Sequence, residues 1–395
     1  MYNSGMDIIP RYLTDNIIED LNEKMVFLGG PRQVGKTTTA KELVSRNMKS
    51  SYYNWDRIRD RTAALKGEWA PDSALIILDE FHKHLKWKTW IKGEFDTHSD
   101  VYKFLLTGSA RLNIFRRGGD SLQGRYHYYT LHPFSIAELS RSKASVKPLN
   151  ELVFNESSVK EEFRALLDFG GFPEPFLKQN RRFLRRWHIE KTERFFKEDI
   201  RELTLIKDFG NLALLADMLP EKTSSVLSIN SLAEDLQVNF RTVANWLDTF
   251  EQFYYCFRIP PFQSKKIASV RKEKKLYLWD WSAIEEEGLK LENFVACHLL
   301  KFCDYLYSYE GYNVSLSFIR DSTGREVDFI VTFNNKPWFS VEVKNSDSSI
   351  SKNLYYFRDK LSIPFNYQVV KKCKNDRIKN GVRVMQADKF LGGLI

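Results

Sequence analysis

The sequence predicts a multidomain α/β protein, and three stretches carry that prediction. At 24–44, "KMVFLGGPRQVGKTTTAKELV" reads as a short strand, a glycine-rich turn and a helix. At 73–81, "SALIILDEF" reads as a buried strand that ends in two acids. At 324–346, "GREVDFIVTFNNKPWFSVEVKNS" reads as two apolar strands with charged residues at their centres. The first two belong to one parallel-sheet core, and the third calls for a domain of its own. A length of 395 residues accommodates two or three domains.

At 43% hydrophobic and 28% charged residues, the composition is that of a globular chain with ample core. No apolar run approaches the roughly 18–20 residues that span a bilayer, so no membrane partner is expected. "MYNSGMDIIPRYL" at the N-terminus has no basic segment followed by an apolar one, unlike a signal peptide. Cys256, Cys297, Cys303 and Cys373 have no framework spacing, which fits a reducing, cytoplasmic setting. The net charge is +9, and the excess is clustered at 178–201, 264–275 and 371–383. Each cluster read alone is a solvated face; three on one chain favour a polyanion such as DNA.

The first stretch holds Gly30-x4-Gly35-Lys36-Thr37, a complete phosphate-binding loop between a strand and a helix. Residues Gly30, Pro31, Arg32, Gln33, Val34, Gly35, Lys36, Thr37 and Thr38 would cradle the phosphates of ATP with backbone N–H groups and the helix N-terminus. Lys36 would reach the β- and γ-phosphates, and the Thr37 hydroxyl would hold Mg²⁺. The second stretch would deliver Asp79 and Glu80 to the sheet edge where ligands bind. Asp79 would support Mg²⁺ from outside its first ring of ligands, and Glu80 would polarise the attacking water. The run "YKFLLTGSARL" ends in Thr107 and Ser109; a hydroxyl there would contact the γ-phosphate or the water, although Ser109 equally suits a helix N-cap.

"GGPRQVGKTT", "YYNWD", "LIILDE", "LLTGSA" and "SLQGRYHYYTLHPFSIAEL" together resemble the AAA+ superfamily. The closer likeness is to prokaryotic ATPases that carry a C-terminal domain long catalogued as of unknown function. The resemblance implies a homo-oligomer, possible as a ring, in which an arginine from a neighbouring subunit completes the ATP site. Arg125 in "LQGRYH" is the first candidate, followed by Arg111, Arg116 and Arg117.

From about 135 the pattern turns helical. "EEFRALLDFGGFPEPFLKQ" resembles the small helical subdomain that covers the nucleotide in AAA+ proteins. The following basic helix places Arg182, Arg185, Arg186 and Arg194 on recurring faces, suited to solvent or to a DNA track. "SINSLAEDLQVNFRTVANWLDTFEQFYYCFRIPPF" at 228–262 fits a helix-turn-helix with a β wing. Here Ser231 is expected to cap the first helix, and Val243, Trp246, Leu247 and Phe250 to face inward. Phe240, Arg241, Asn245 and Asp248 would then be exposed. Asp248 and Glu251 weaken a base-reading role, and such modules also bind proteins.

The C-terminal stretch answers why charge sits on buried strands. Residues i and i+2 of a strand share a face, so Glu342 and Lys344 point together, and a tight turn at "NNKP" brings Asp328 alongside. Glu292, on the preceding amphipathic helix, would reach in. Hard oxygen ligands of this kind suit Mg²⁺ or Mn²⁺. The arrangement resembles the PD-(D/E)xK nuclease superfamily, with Val327 where that pattern has proline. Under that resemblance Glu292, Asp328 and Glu342 are metal ligands, and Lys344 is a catalytic residue beside them.

The expected organisation is therefore an AAA+ P-loop NTPase core at 1–138, a helical lid at 139–222, a winged helix at 223–262 and a restriction-endonuclease-like α/β domain at 263–395. The expected function is a DNA-associated ATPase with a metal-dependent nuclease-type domain, in DNA processing or defence. The alternative is an ATP-driven interaction switch whose nuclease-like domain only binds a partner.

Overall fold

The computed structural model describes residues 9–46, 48–84, 86–108, 122–140, 146–154, 159–200, 208–264, 273–347, 349–373 and 375–395. The chain divides into two compact units, Met1–His132 and Pro133–Ile395.

The first unit is built on five parallel strands: β1 (Met25–Gly29), β2 (Ser50–Asn54), β3 (Leu75–Asp79), β4 (Lys103–Thr107) and β5 (Tyr126–Thr130). Their order is β2-β3-β4-β1-β5. The runs Met25–Leu28 and Leu75–Leu78 are buried, as a parallel sheet covered on both faces requires. Phe27, Trp69, Phe81, Trp87, Ile91 and Phe104 form the core beneath it. Register aligns the carboxyl ends: Asn54 stands opposite Asp79, and Asp79 opposite Thr107. β4 lies between the strand feeding the glycine-rich loop and the strand ending in acids. Both sets of candidate residues are thus brought to one edge of one sheet.

The second unit contains a six-stranded mixed sheet. Its first members are preceded by an antiparallel pair, β6 (Cys256–Ile259) and β7 (Lys275–Leu278). The sheet comprises β8 (Val314–Arg320), β9 (Glu326–Phe333), β10 (Lys336–Lys344), β11 (Phe365–Val370), β12 (Arg377–Lys379) and β13 (Val382–Gln386), in the order β12-β13-β11-β10-β9-β8. β8, β9 and β10 form an antiparallel meander, after which β10, β11 and β13 run parallel. The turn between β9 and β10 is Asn334-Asn335, both with positive φ (50° and 62°). Two such residues make the hairpin turn whose twist matches the strands it joins. The 22-residue helix Glu287–Ser308 packs against β8 and β10. Its N-terminus is capped by Glu286, which accepts from the N–H groups of Gly288 and Leu289.

The helical stretch expected as a lid at 139–222 folds with the C-terminal residues in the second unit. The Trp281 indole donates to the Leu166 carbonyl at 2.7 Å, Phe163 packs edge-on against Phe294, and Lys191 pairs with Asp280 at 2.9 Å. The expected boundary at 262–263 falls between the paired strands β6 and β7.

Within 228–262, helices Ile229–Asp235 and Phe240–Gln252 are separated by a turn in which Gln237 has a φ of 54°. The first helix is capped by Ser228; Ser231, expected in that role, instead donates its N–H to the Ser228 hydroxyl. Serine at either position reads alike in sequence. Asn239 caps the second helix. Val243, Trp246, Leu247 and Phe250 are buried, while Phe240, Arg241, Asn245 and Asp248 are exposed.

Candidate nucleotide site and C-terminal carboxylate site

β1 ends at Gly29, and the loop that follows wraps back before the helix Lys36–Arg46 begins. Gly30 has a φ of 133°, and a Cβ there would lie 2.6 Å from the Leu131 carbonyl oxygen, so only glycine fits. Gln33 adopts a left-handed φ of 62°, a costly conformation for a side-chain-bearing residue. Lys36 donates to the carbonyls of Gly30 (2.9 Å) and Pro31 (2.7 Å), so its ammonium spans the mouth of the loop. Arg11 supports the loop from behind, donating to the carbonyls of Val34 and His132.

Asp79 is the hub of the opposite wall. Its Oδ2 accepts from Thr37 Oγ1 at 3.0 Å and from the Tyr52 hydroxyl at 2.5 Å. Its Oδ1 accepts from Thr107 Oγ1. Of the two hydroxyls considered for the γ-phosphate or the water, Thr107 and Ser109, that of Thr107 donates to Asp79. Burial, then the bond to Asp79, pushes the Tyr52 phenol well above its usual pKa, so it remains a donor. Glu80 follows with a left-handed φ of 57°. Burial raises its pKa against the opposing pull of Lys36 and Lys83, which suits a carboxylate meant to take a proton. A hydroxyl and a carboxylate in contact, beside a lysine and a row of loop N–H groups, fit magnesium and a nucleotide triphosphate.

In the second unit, Asp328 on β9 accepts from the Val343 N–H at 2.8 Å. Glu342 Oε1 pairs with Lys344 at 2.7 Å, whereas Glu342 Oε2 is buried without a hydrogen bond. Burial, then the neighbouring Asp328, pushes the Glu342 carboxyl up to about 7. Burial raises Asp328 too, against the pull of Lys275. Burial works against charge on Lys344, but its bond to Glu342 outweighs this and raises its pKa.

Glu292 does enter the cluster, from the helix Glu287–Ser308. It is held there by Lys275 (3.3 Å) and by the Tyr277 hydroxyl (2.9 Å). Burial, then Asp328, raises it to about 8. Lys275 also lies 2.6 Å from Glu326 and 3.8 Å from Asp328, and it is 1% exposed. Among the described residues, no three His, Cys, Asp or Glu side chains converge as a metal cage. Asp328 and Glu342 retain oxygen atoms fit for a divalent ion, the orphaned Glu342 Oε2 above all. Lys275 and Tyr277 both meet Glu292 at the one oxygen, Oε1.

Three segments of the chain match known family models. Residues 22–140 match an AAA domain, 160–285 a domain of unknown function (DUF8612) and 287–390 a domain of unknown function (DUF4143). Residues 22–140 form an AAA domain. Two archaeal relatives from Methanocaldococcus jannaschii are similar over most of the chain. Uncharacterized protein MJ1637 is 24% identical over 77% of this chain and 74% of its own length. Uncharacterized protein MJ1544 is 21% identical over 82% and 76%. Among solved structures, a RuvB variant from Thermotoga maritima aligns with a TM-score of 0.28 and 17% identity, over 62% of this chain and 87% of that one. A signal-transduction ATPase with numerous domains from Pyrococcus horikoshii aligns with a TM-score of 0.29 and 15% identity, over 77% and 48%.

The AAA domain contains Lys36, Thr37, Asp79 and Glu80, the candidate nucleotide-site residues at the carboxyl edge of its sheet. Its Arg125 forms a two-point bond with Asp96 at 2.6 and 3.1 Å, which raises the guanidinium pKa and lowers that of the carboxyl. Ser109, Arg111, Arg116 and Arg117 lie outside the described residues. Arg182, Arg185 and Arg186 are exposed on the helix Arg181–Arg194, as Arg241 and Asn245 are on theirs. Asp248 and Glu251 are both bound by Arg258, at 2.5 and 2.7 Å. The sequence reading missed Tyr52, Lys275 and Tyr277. The one signal for the latter two was the alternation in "KLYL", which places 275 and 277 on the same face of a strand. Among the described residues, no helix is long and apolar enough to cross a membrane.

Proposed function

We propose that the protein binds and hydrolyses ATP with Mg²⁺ in its AAA domain, and that this cycle drives a C-terminal nuclease-type domain acting on DNA. The convergence of Thr37, Tyr52 and Thr107 on Asp79, next to Glu80, supports the first part most directly. Magnesium, held by Thr37 and supported by Asp79, would offset phosphate charge. Lys36 binds the phosphates, the loop N–H groups orient them, and Glu80 takes the proton of the attacking water. A neighbouring copy would supply an arginine, Arg125 being the described candidate once released from Asp96; this makes a homo-oligomer, such as a ring, part of the reading.

For the C-terminal domain, the support is that Asp328, Glu342 and Lys344 meet on β9 and β10. Asp328 and Glu342 would hold Mg²⁺ or Mn²⁺, which would activate water for phosphodiester cleavage. Lys344 orients the nucleophile or offsets developing charge. The exposed Arg182, Arg186, Arg241 and Asn245 would contact DNA, in processing or defence. The test is cleavage of duplex, single-stranded and branched DNA with Mg²⁺ or Mn²⁺, with and without ATP, using Asp328→Ala and Glu342→Ala as controls. Cleavage lost in both variants supports the reading; none on any substrate beside sound ATP turnover overturns it.

A second reading is an ATP-driven switch whose nuclease-like domain recognises a partner and cuts nothing. The observation that favours it is Lys275, whose ammonium already stands among the carboxylates. Nucleotide-dependent assembly without affinity for DNA supports this reading.

A further inference from the structure

Lys275 belongs neither to the strand pair that carries Asp328 and Glu342 nor to the helix that carries Glu292. It sits on β7, whose partner is β6, in the segment 160–285; the carboxylates it meets lie within 287–390. β7 is held on its other side as well, by a bridge between Val226 and Lys275 and by bonds from Ser224 and Leu227 to the carbonyls of Leu276 and Lys274. The lysine is therefore carried into the cluster by one small structural block.

Its surroundings resemble the ligand shell of a cation more than those of an ordinary ion pair. Three carboxylates from two elements face one ammonium: Glu326 at 2.6 Å, Glu292 at 3.3 Å and Asp328 at 3.8 Å. Tyr277, two residues along the same strand, donates to the Glu292 oxygen that faces Lys275. Arg320 takes the other side of Glu326 at 3.1 Å. A buried carboxylate group of this size requires a cation, and here the chain itself supplies one.

We propose that Lys275 is the resident cation of the C-terminal carboxylate site, lent by β7, and that it and a divalent metal ion exclude one another there. Two positive centres within a few ångströms of the same carboxylate repel, so a metal gains its full affinity for Asp328 only when Lys275 is withdrawn. By linkage, metal binding and the seating of β7 oppose each other by the same factor. This inference rests on the reading of Asp328 and Glu342 as a metal-taking pair.

The experiment titrates Mn²⁺ into the full-length, metal-stripped protein without nucleotide, following free Mn²⁺ by electron paramagnetic resonance. Only binding removed by Asp328→Asn is counted. Lys275→Ala is expected to bind at least about tenfold more tightly than wild type. Mn²⁺ should also raise the melting temperature of Lys275→Ala by more than that of wild type, a readout independent of any cleavage. If Lys275→Ala does not fold, Lys275→Met combined with Glu326→Gln keeps the charge balance and takes its place. Equal Asp328-dependent affinities in wild type and variant would overturn the exclusion while leaving the metal site standing. Absence of Asp328-dependent binding in both would overturn the metal site and the inference with it.

Discussion

Thr37 Oγ1 donates to Asp79 Oδ2 across 3.0 Å, tying the phosphate-binding loop to the acidic strand. Thr37 lies in the first turn of the helix that follows β1, Asp79 ends β3, and β4 lies between those two strands in the sheet. On the proposed reading, Thr37 and Asp79 would hold magnesium from this edge of the sheet, and the ion would offset phosphate charge.

Lys36 spans the loop it belongs to, bonded to the carbonyls of Gly30 and Pro31. On the proposed reading, Lys36 exchanges those bonds for phosphate oxygens when ATP binds. Lys36→Ala is expected to abolish ATP binding measured with a fluorescent nucleotide, while the far-ultraviolet circular dichroism stays that of wild type. Wild-type affinity in the variant would remove the lysine from the site.

Tyr52 holds the same Asp79 oxygen as Thr37. A hydrogen bond to a charged acceptor contributes about 1.5–3 kcal/mol. Tyr52→Phe therefore loosens Asp79 without altering the phosphate loop. The expected result is a raised Mg²⁺ requirement for turnover with nucleotide affinity little changed. A uniform loss of ATP affinity, with the Mg²⁺ requirement as in wild type, would show that the tyrosine acts elsewhere.

The carboxylate cluster carries a pH signature. Glu342 is raised to about 7 and Glu292 to about 8, from an ordinary 4.5. Between those values the folded chain holds protons that the unfolded chain has released. Stability from these groups is therefore largest at low pH and falls as pH rises from about 4.5 to about 8. Glu342→Gln is expected to flatten part of that decline in urea unfolding between about pH 5 and about pH 8. An unchanged slope would mean that Glu342 is ionised throughout.

Lys301 is 1% exposed and pairs with Glu138 at 2.8 Å, also donating to Ser135. It ties the helix Glu287–Ser308 to the short helix Ile136–Leu139 within the second unit. Removing one partner of a buried pair strands the other, at a cost of about 3–5 kcal/mol. Lys301→Met should show that loss in denaturant unfolding, and combining it with Glu138→Gln should recover much of it. A single variant as stable as wild type would mean that the pair adds nothing.

The nucleotide site was legible because its chemistry is local in sequence: a glycine turn between a strand and a helix, and a buried strand ending in acids. Asp328, Glu342 and Lys344 were legible for a similar reason, since one two-residue turn and the alternation of a strand bring them together. Lys275 and Tyr52 were not. Each meets its carboxylate across a contact between separate elements, 27 residues apart for Tyr52 and Asp79 and 17 for Lys275 and Glu292, and neither lies in a motif. The packing partner of the helical stretch after 139 was not legible, because an amphipathic helix shows which face it buries but not which partner it buries that face against. In the structure, Trp281 and Phe294 supply that partner.

The most direct test of the account is phosphate release and nucleotide binding by wild type and Glu80→Gln, side by side. The account predicts that the variant binds ATP as wild type does while turnover falls by about a hundredfold or more, the scale of a lost general base. Wild-type turnover in Glu80→Gln would contradict the placement of Glu80 at the attacking water, and with it the reading of this edge of the sheet as a hydrolytic site.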